Sequence, residues 1–83
     1  MDPATDVSRI KRQIYDMPND IRGALEERAL ANAYAARPAY QQNDYIGWIT
    51  RARLTATRQK RLKQMLDELK KGNMYMKMKW NDK

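Results

Sequence analysis

At 83 residues the chain has room for one domain, and a domain of that size buries only roughly 60% of its unfolded surface, so stability must come from close helix packing or from a partner chain. It contains neither cysteine nor histidine, which excludes disulfides and the common zinc-ligand sets. The net charge of +7 is unevenly placed: residues 1–50 carry six basic and seven acidic side chains, and residues 51–83 carry eleven and three. The two parts balance at −1 and +8, which makes the C-terminal part a positive pole for an anionic partner.

In chain order, Val7, Ile10, Ile14 and Met17 recur at helical spacing and predict a short amphipathic helix, with Thr5 or Asp6 at its start. Pro18 should end it, since the residue before a proline is pushed out of the helical region. Asn19 or Asp20 opens a second helix with Ile21, Ala24 and Leu25 as its apolar face. Residues 29–36, ALANAYAA, are helix-prone, with Leu30, Ala33 and Tyr34 as core contacts. The pattern fits one bent helix or two short ones. Pro38 fits the first turn of a further helix reaching about Arg53, with Tyr45, Ile49 and Ala52 on one face and Ile46 and Trp48 flanking it.

The last helix is expected over about residues 55–71, with Thr55 or a neighbour as its cap. Leu62, Met65, Leu66 and Leu69 fall at i, i+3, i+4 and i+7, the spacing of one buried face. Gly72 followed by Asn73 is a C-terminal stop, and Lys70 and Lys71 favour the helix dipole there. In the tail, NMYMKMKWNDK, the period changes to two: Met74, Met76, Met78 and Trp80 alternate with polar residues and Tyr75. A lone strand has nowhere to place its backbone hydrogen bonds, so the tail is expected to be flexible, or to pair with another chain.

The fold class expected is therefore all-α: a small bundle of four or five short helices over residues 1–72, followed by a C-terminal tail over residues 73–83. Its core would draw on Ile10, Ile14, Ile21, Leu25, Tyr34, Tyr45, Trp48, Ile49, Leu62, Met65, Leu66 and Leu69. No signal-peptide pattern and no run of about 18 apolar residues is present, so the expected location is the cytoplasm.

The run Met17-Pro18-Asn19-Asp20-Ile21, with Ala24-Leu25, resembles the opening of the bacteriocin-protection family (YdeI or OmpD-associated, OmdA). The likeness continues through Tyr34, Pro38, Tyr45-Ile46, Trp48-Ile49, Arg51-Ala52-Arg53, Thr57-Arg58, Arg61-Leu62 and Leu69 before Gly72, so it covers about residues 17–72. Arg53 stands where the family usually has lysine, and Ala39 replaces the small hydroxyl residue that often follows the proline. The resemblance implies a helical unit tied to resistance to bacteriocins and cationic antimicrobial peptides and to an outer-membrane porin. It brings no catalytic residue with it, and some family descriptions suggest a periplasmic site.

The candidate sites follow from residue types. With no histidine, no cysteine and three isolated glycines, at 23, 47 and 72, there is little for acid–base or nucleophilic chemistry and no phosphate-cradling loop. No catalytic residue, metal or cofactor is expected. The pairs Glu26-Glu27 and Asp67-Glu68 read as solvated helix faces. Arg51, Arg53, Lys60, Arg61 and Lys63 form the candidate surface for an anionic partner. Arg58, four residues before Leu62, falls on the edge of the apolar stripe and reads as a structural arginine meeting a carboxylate or a helix C-terminus, with Asp44 within reach.

The expected function is a non-enzymatic interaction module of the bacteriocin-protection type, acting through that basic surface on an acidic protein face. The alternative is non-specific nucleic-acid binding through residues 51–63, since Tyr45 and Trp48 precede the run. A tail of eleven residues is a weak membrane anchor, so membrane contact is not expected. The expected state is a monomer or a weak homo-oligomer.

Overall fold

The computed structural model describes residues 15–80. The expected first helix lies outside the described residues as far as residue 14, with Ile10 and Ile14 of the expected core, and its described end, residues 15–17, is not helical. Pro18 occupies the cap position of α1 (Asn19–Glu27), and its carbonyl accepts the amide of Arg22 at 3.0 Å. Asp20 in the first turn suits the positive end of the helix dipole.

The ambiguity over residues 29–36 resolves into two helices. α1 ends where Ala29 takes a left-handed backbone conformation (φ 58°). The amide of Leu30 then reaches the Leu25 carbonyl at 2.8 Å, and that of Ala29 reaches Glu26 at 3.1 Å. This is a Schellman stop with alanine where glycine is usual. It releases α2 (Ala31–Ala35) in a new direction.

α3 runs over Ala39–Thr50, with Pro38 before it as the cap, its carbonyl accepting from the amides of Gln41 and Gln42. The helix stops short of the expected Arg53. Thr50 turns its hydroxyl back onto the Ile46 carbonyl at 2.7 Å, a local bond that competes with helix continuation, and Ala52 falls in the connection to the next helix.

α4 (Thr55–Lys71) is the longest element. Leu54, the neighbour before Thr55, stands at its cap position, with no side-chain bond to the free amides. Gly72 closes it at φ 84°, a conformation that favours a residue without Cβ, and donates its amide to Glu68 at 2.9 Å.

The expected flexible tail is corrected by the structure. β1 (Met74–Tyr75) pairs antiparallel with β2 (Met78–Lys79), placing Met74 opposite Lys79 and Tyr75 opposite Met78. Met76 and Lys77 form the turn with positive φ at both positions (51° and 65°), as the hairpin turn that matches strand twist demands. The amide of Trp80 bonds the Asn73 carbonyl at 2.8 Å and extends the ladder. The partner strand lies within the same short stretch, so the fold is mainly helical with a small hairpin and not all-α.

The core gathers Ile21 and Leu25 from α1, Tyr45, Ile46 and Ile49 from α3, and Leu62, Met65, Leu66 and Leu69 from α4. Tyr34 and Trp48, expected inside, are partly buried against it. A Cβ on Gly47 would lie 2.5 Å from the Tyr15 ring, so glycine at this place lets the aromatic approach α3 closely.

Candidate interaction surface

Helical geometry decides which α4 side chains meet the core and which meet solvent. At about 100° per residue, Lys60, Lys63 and Asp67 fall opposite the Leu62–Met65–Leu66–Leu69 stripe, and Arg61 falls at its edge. The structure follows this and separates arginines from lysines.

Arg58 forks onto Asp20 of α1, its Nε and Nη2 donating to the two carboxylate oxygens at 3.2 and 3.1 Å. The carboxylate it meets is therefore Asp20, not Asp44. Asp44 accepts instead from the Tyr75 hydroxyl at 2.7 Å. The guanidinium bond holds the Asp20 carboxyl below its ordinary value. Arg61 donates to the Trp48 carbonyl at 2.7 Å and lies over the Trp48 ring, 5.3 Å from its centre. Arg51, at the end of α3, approaches the Tyr15 hydroxyl at 3.5 Å. Arg53 is exposed in the connection between α3 and α4.

The lysines differ. Lys60 is exposed with no ion pair among the described residues, and Lys63 has only a long, exposed approach to Asp67 at 3.8 Å. Of the five residues expected to form one basic surface, Lys60 and Lys63 lie together on the outer face of α4. Arg51 and Arg53 lie beyond its N-terminal end, and Arg61 is engaged with α3.

Sequence patterns did not point to a buried polar cluster beneath this face. Glu68, expected in solvent, is 4% exposed. Its Oε1 accepts from the Tyr45 hydroxyl at 2.5 Å and the Met76 amide at 2.9 Å, and its Oε2 from the Lys77 amide at 2.7 Å and Gln64 Nε2 at 3.1 Å. Arg37, also buried, donates Nη2 to the Glu68 carbonyl at 3.1 Å and Nη1 to Gln41 Oε1 at 3.0 Å. It also lies over Trp80, 4.8 Å from the ring centre. Burial first, and then the Glu68 carboxylate, pushes the Tyr45 hydroxyl well above the ordinary tyrosine value.

One signal for this cluster was legible. The helical period puts Glu68 about 60° from Met65 and Asp67 much further round, so the two adjacent acids never share a face. Nothing in the sequence marks Arg37.

The cluster ties α3, α4 and the hairpin together, and each Glu68 carboxylate oxygen accepts two hydrogen bonds within it. Among the described residues no group of three or more acidic, histidine or cysteine side chains could hold a metal ion, and no helix is long and apolar enough to cross a membrane.

A family model described as OmdA, bacteriocin-protection, YdeI or OmpD-associated, matches residues 15–72. No curated protein and no solved structure matches the chain.

Proposed function

The chain belongs to the OmdA bacteriocin-protection family, and on that footing we propose that it is a non-enzymatic interaction module that meets an acidic protein partner through its basic C-terminal part. The observation that carries this reading is the split between arginines and lysines. Arg58 and Arg61 are engaged within the domain, on Asp20 and Trp48, whereas Lys60 and Lys63 stand on the outer face of α4 without a close ion pair. Exposed lysines on a rigid helix, free of close ion pairs, leave a positive field for steering and docking.

The sign of that field also bears on how protection would work. A cationic antimicrobial peptide is repelled by a +8 surface, so direct capture of such a peptide is disfavoured on charge alone. Protection through an anionic partner in the host cell fits the electrostatics. The partner's identity would then set where the protein works, in the cytoplasm or the periplasm.

The alternative reading, non-specific nucleic-acid binding through residues 51–63, draws on the same charge. Fluorescence-anisotropy titration of labelled single- and double-stranded oligonucleotides at two salt concentrations separates the two. The protein-partner reading expects no saturable binding at micromolar protein even at low salt, where phosphate contacts are strongest. Micromolar binding whose log affinity falls with log salt, by about 0.9 per contacted phosphate, would replace it with the nucleic-acid reading.

A further inference from the structure

Between the outer face of α4 and the hairpin lies a groove of about 360 Å³. Lys60, Lys63 and Lys71 line it from the helix together with Gln64, Asp67 and Glu68, and Lys77 and Met74 line it from the hairpin; the Glu68 carboxylate is already taken up by its four donors. Its far wall exists because Glu68 takes the amides of Met76 and Lys77 and so fixes the turn against α4. Lys71 and Lys77, which lay outside the expected surface, thereby join Lys60 and Lys63. No ion pair is formed by Lys60, Lys71 or Lys77 among the described residues, and the Lys63–Asp67 approach is long and exposed, which makes it worth little.

We infer that this groove is a docking site for an extended acidic segment of a partner polypeptide, with an apolar side chain of that segment seated against Met74. The inference rests on the interaction-module reading above and names its site and ligand. Lys60 and Lys71 are eleven positions apart on one helix, about 16 Å at 1.5 Å per residue. Roughly five extended residues cover that length. Carboxylates along such a segment would meet the lysine ammonium groups in turn and draw Lys63 away from Asp67.

Two observations favour a peptide over a nucleic acid strand. Stacking on aromatic rings carries much of single-strand binding, yet no aromatic side chain lines the groove. Trp48 and Trp80 lie elsewhere, each covered by a guanidinium, Arg61 over one and Arg37 over the other. No arginine lines the groove either, and the forked donors of Arg58 and Arg37, which could grip phosphate in pairs, are spent within the fold, Arg58 on Asp20 and Arg37 on Gln41 and Glu68. What remains in the groove is point charge and the Met74 thioether, a pairing suited to carboxylates flanking an apolar residue.

The test titrates the full chain with a fluorescein-labelled ten-residue Asp/Glu-rich peptide bearing one central leucine, and with the same peptide carrying glycine there. Two charge-matched variants are compared: Lys63→Glu/Lys71→Glu in the groove, and Arg51→Glu/Arg53→Glu outside it. Near-UV circular dichroism confirms each fold, and Lys63→Gln/Lys71→Gln stands in should the groove variant misfold. The leucine peptide is expected to bind, to lose at least tenfold on the groove substitution and under threefold on the other, and to weaken severalfold without its leucine. Equal losses from both charge variants would overturn the inference, as would no binding at all. So would an oligothymidylate of matched charge that displaces the peptide at equal or lower concentration. If the peptide fails while the oligonucleotide titration above stays flat, the acidic-segment assignment falls and the interaction-module reading survives.

Discussion

Tyr45 on α3 donates its hydroxyl to the Glu68 carboxylate on α4 at 2.5 Å, and that same carboxylate receives both amides of the hairpin turn, Met76 at 2.9 Å and Lys77 at 2.7 Å. One buried acid thus joins the two largest helices to the C-terminal hairpin. It also explains how Met76 and Lys77 hold left-handed backbone conformations that residues with a Cβ adopt at a cost.

Glu68→Gln is the sharpest probe of this arrangement. An amide in place of one oxygen turns a donor toward donors, leaving at least one buried N–H or O–H without an acceptor, at about 1–3 kcal/mol for each. The expected loss is about 2–4 kcal/mol in urea denaturation, accompanied by a change in the fluorescence of Trp80 as the hairpin loosens. A loss under about 0.5 kcal/mol, within the range of ordinary surface substitutions, would show that the carboxylate is not central.

Tyr45 should make the fold sensitive to alkali. Its hydroxyl titrates above the ordinary value of 10.0, chiefly because burial disfavours the phenolate. Below about pH 10 both folded and unfolded tyrosine are protonated and the group adds no pH dependence. Above it the unfolded chain releases the proton while the folded one keeps it. The unfolded state then binds fewer protons, and stability falls as pH rises. Urea midpoints measured from about pH 8 to about pH 11 should decline beyond about pH 10, and Tyr45→Phe should flatten that decline.

Two helix positions offer gains. Ala29 stands where the Schellman stop calls for glycine, so Ala29→Gly should stabilise by about 0.5–1 kcal/mol by relieving the left-handed conformation. Gly23 lies inside α1, and a methyl group added there would meet nothing within 4 Å, so Gly23→Ala should gain a similar amount, about 0.5–1 kcal/mol. Thermal melts of the two variants read both effects, and a lowered Tm for either would contradict the assignment at that position.

Arg58→Ala should cost about 1 kcal/mol or less, because its fork onto Asp20 is partly exposed, with side chains 26% and 49% accessible. The arginine bond lowers the Asp20 carboxyl from 3.8. Its contribution is present above that pH and lost as pH falls through the lower folded value. The difference between wild type and Arg58→Ala should therefore shrink from about pH 6 to about pH 3. A difference that stays constant would mean the arginine acts through packing alone.

The helices were legible because their signals are local. Pro18, Pro38 and Gly72 punctuate the chain as their backbone chemistry requires, and the α4 stripe is buried as its spacing predicts. The hairpin was not legible, because its strands are two residues each and its turn carries Met76 and Lys77 instead of the usual glycine or asparagine. What stabilises that turn is Glu68, eight and nine positions back in α4; its period hints at burial but not at the amides it accepts from. The same dependence on the folded hairpin hid the lysine groove: Lys71 and Lys77 line one groove only once the hairpin folds back. Arg58 was recognisable as structural from its place on the stripe, whereas its partner Asp20, 38 positions away, was not.

The measurement that tests the account most directly is survival of the host cell under bacteriocin challenge after the gene is removed and returned in three forms: wild type, Lys63→Glu/Lys71→Glu and Arg51→Glu/Arg53→Glu. Removal is expected to lower survival, wild type and the Arg51/Arg53 variant to restore it, and the groove variant, present at equal level, not to. A groove variant that protects as well as wild type, or a removal that leaves survival unchanged, would contradict the account.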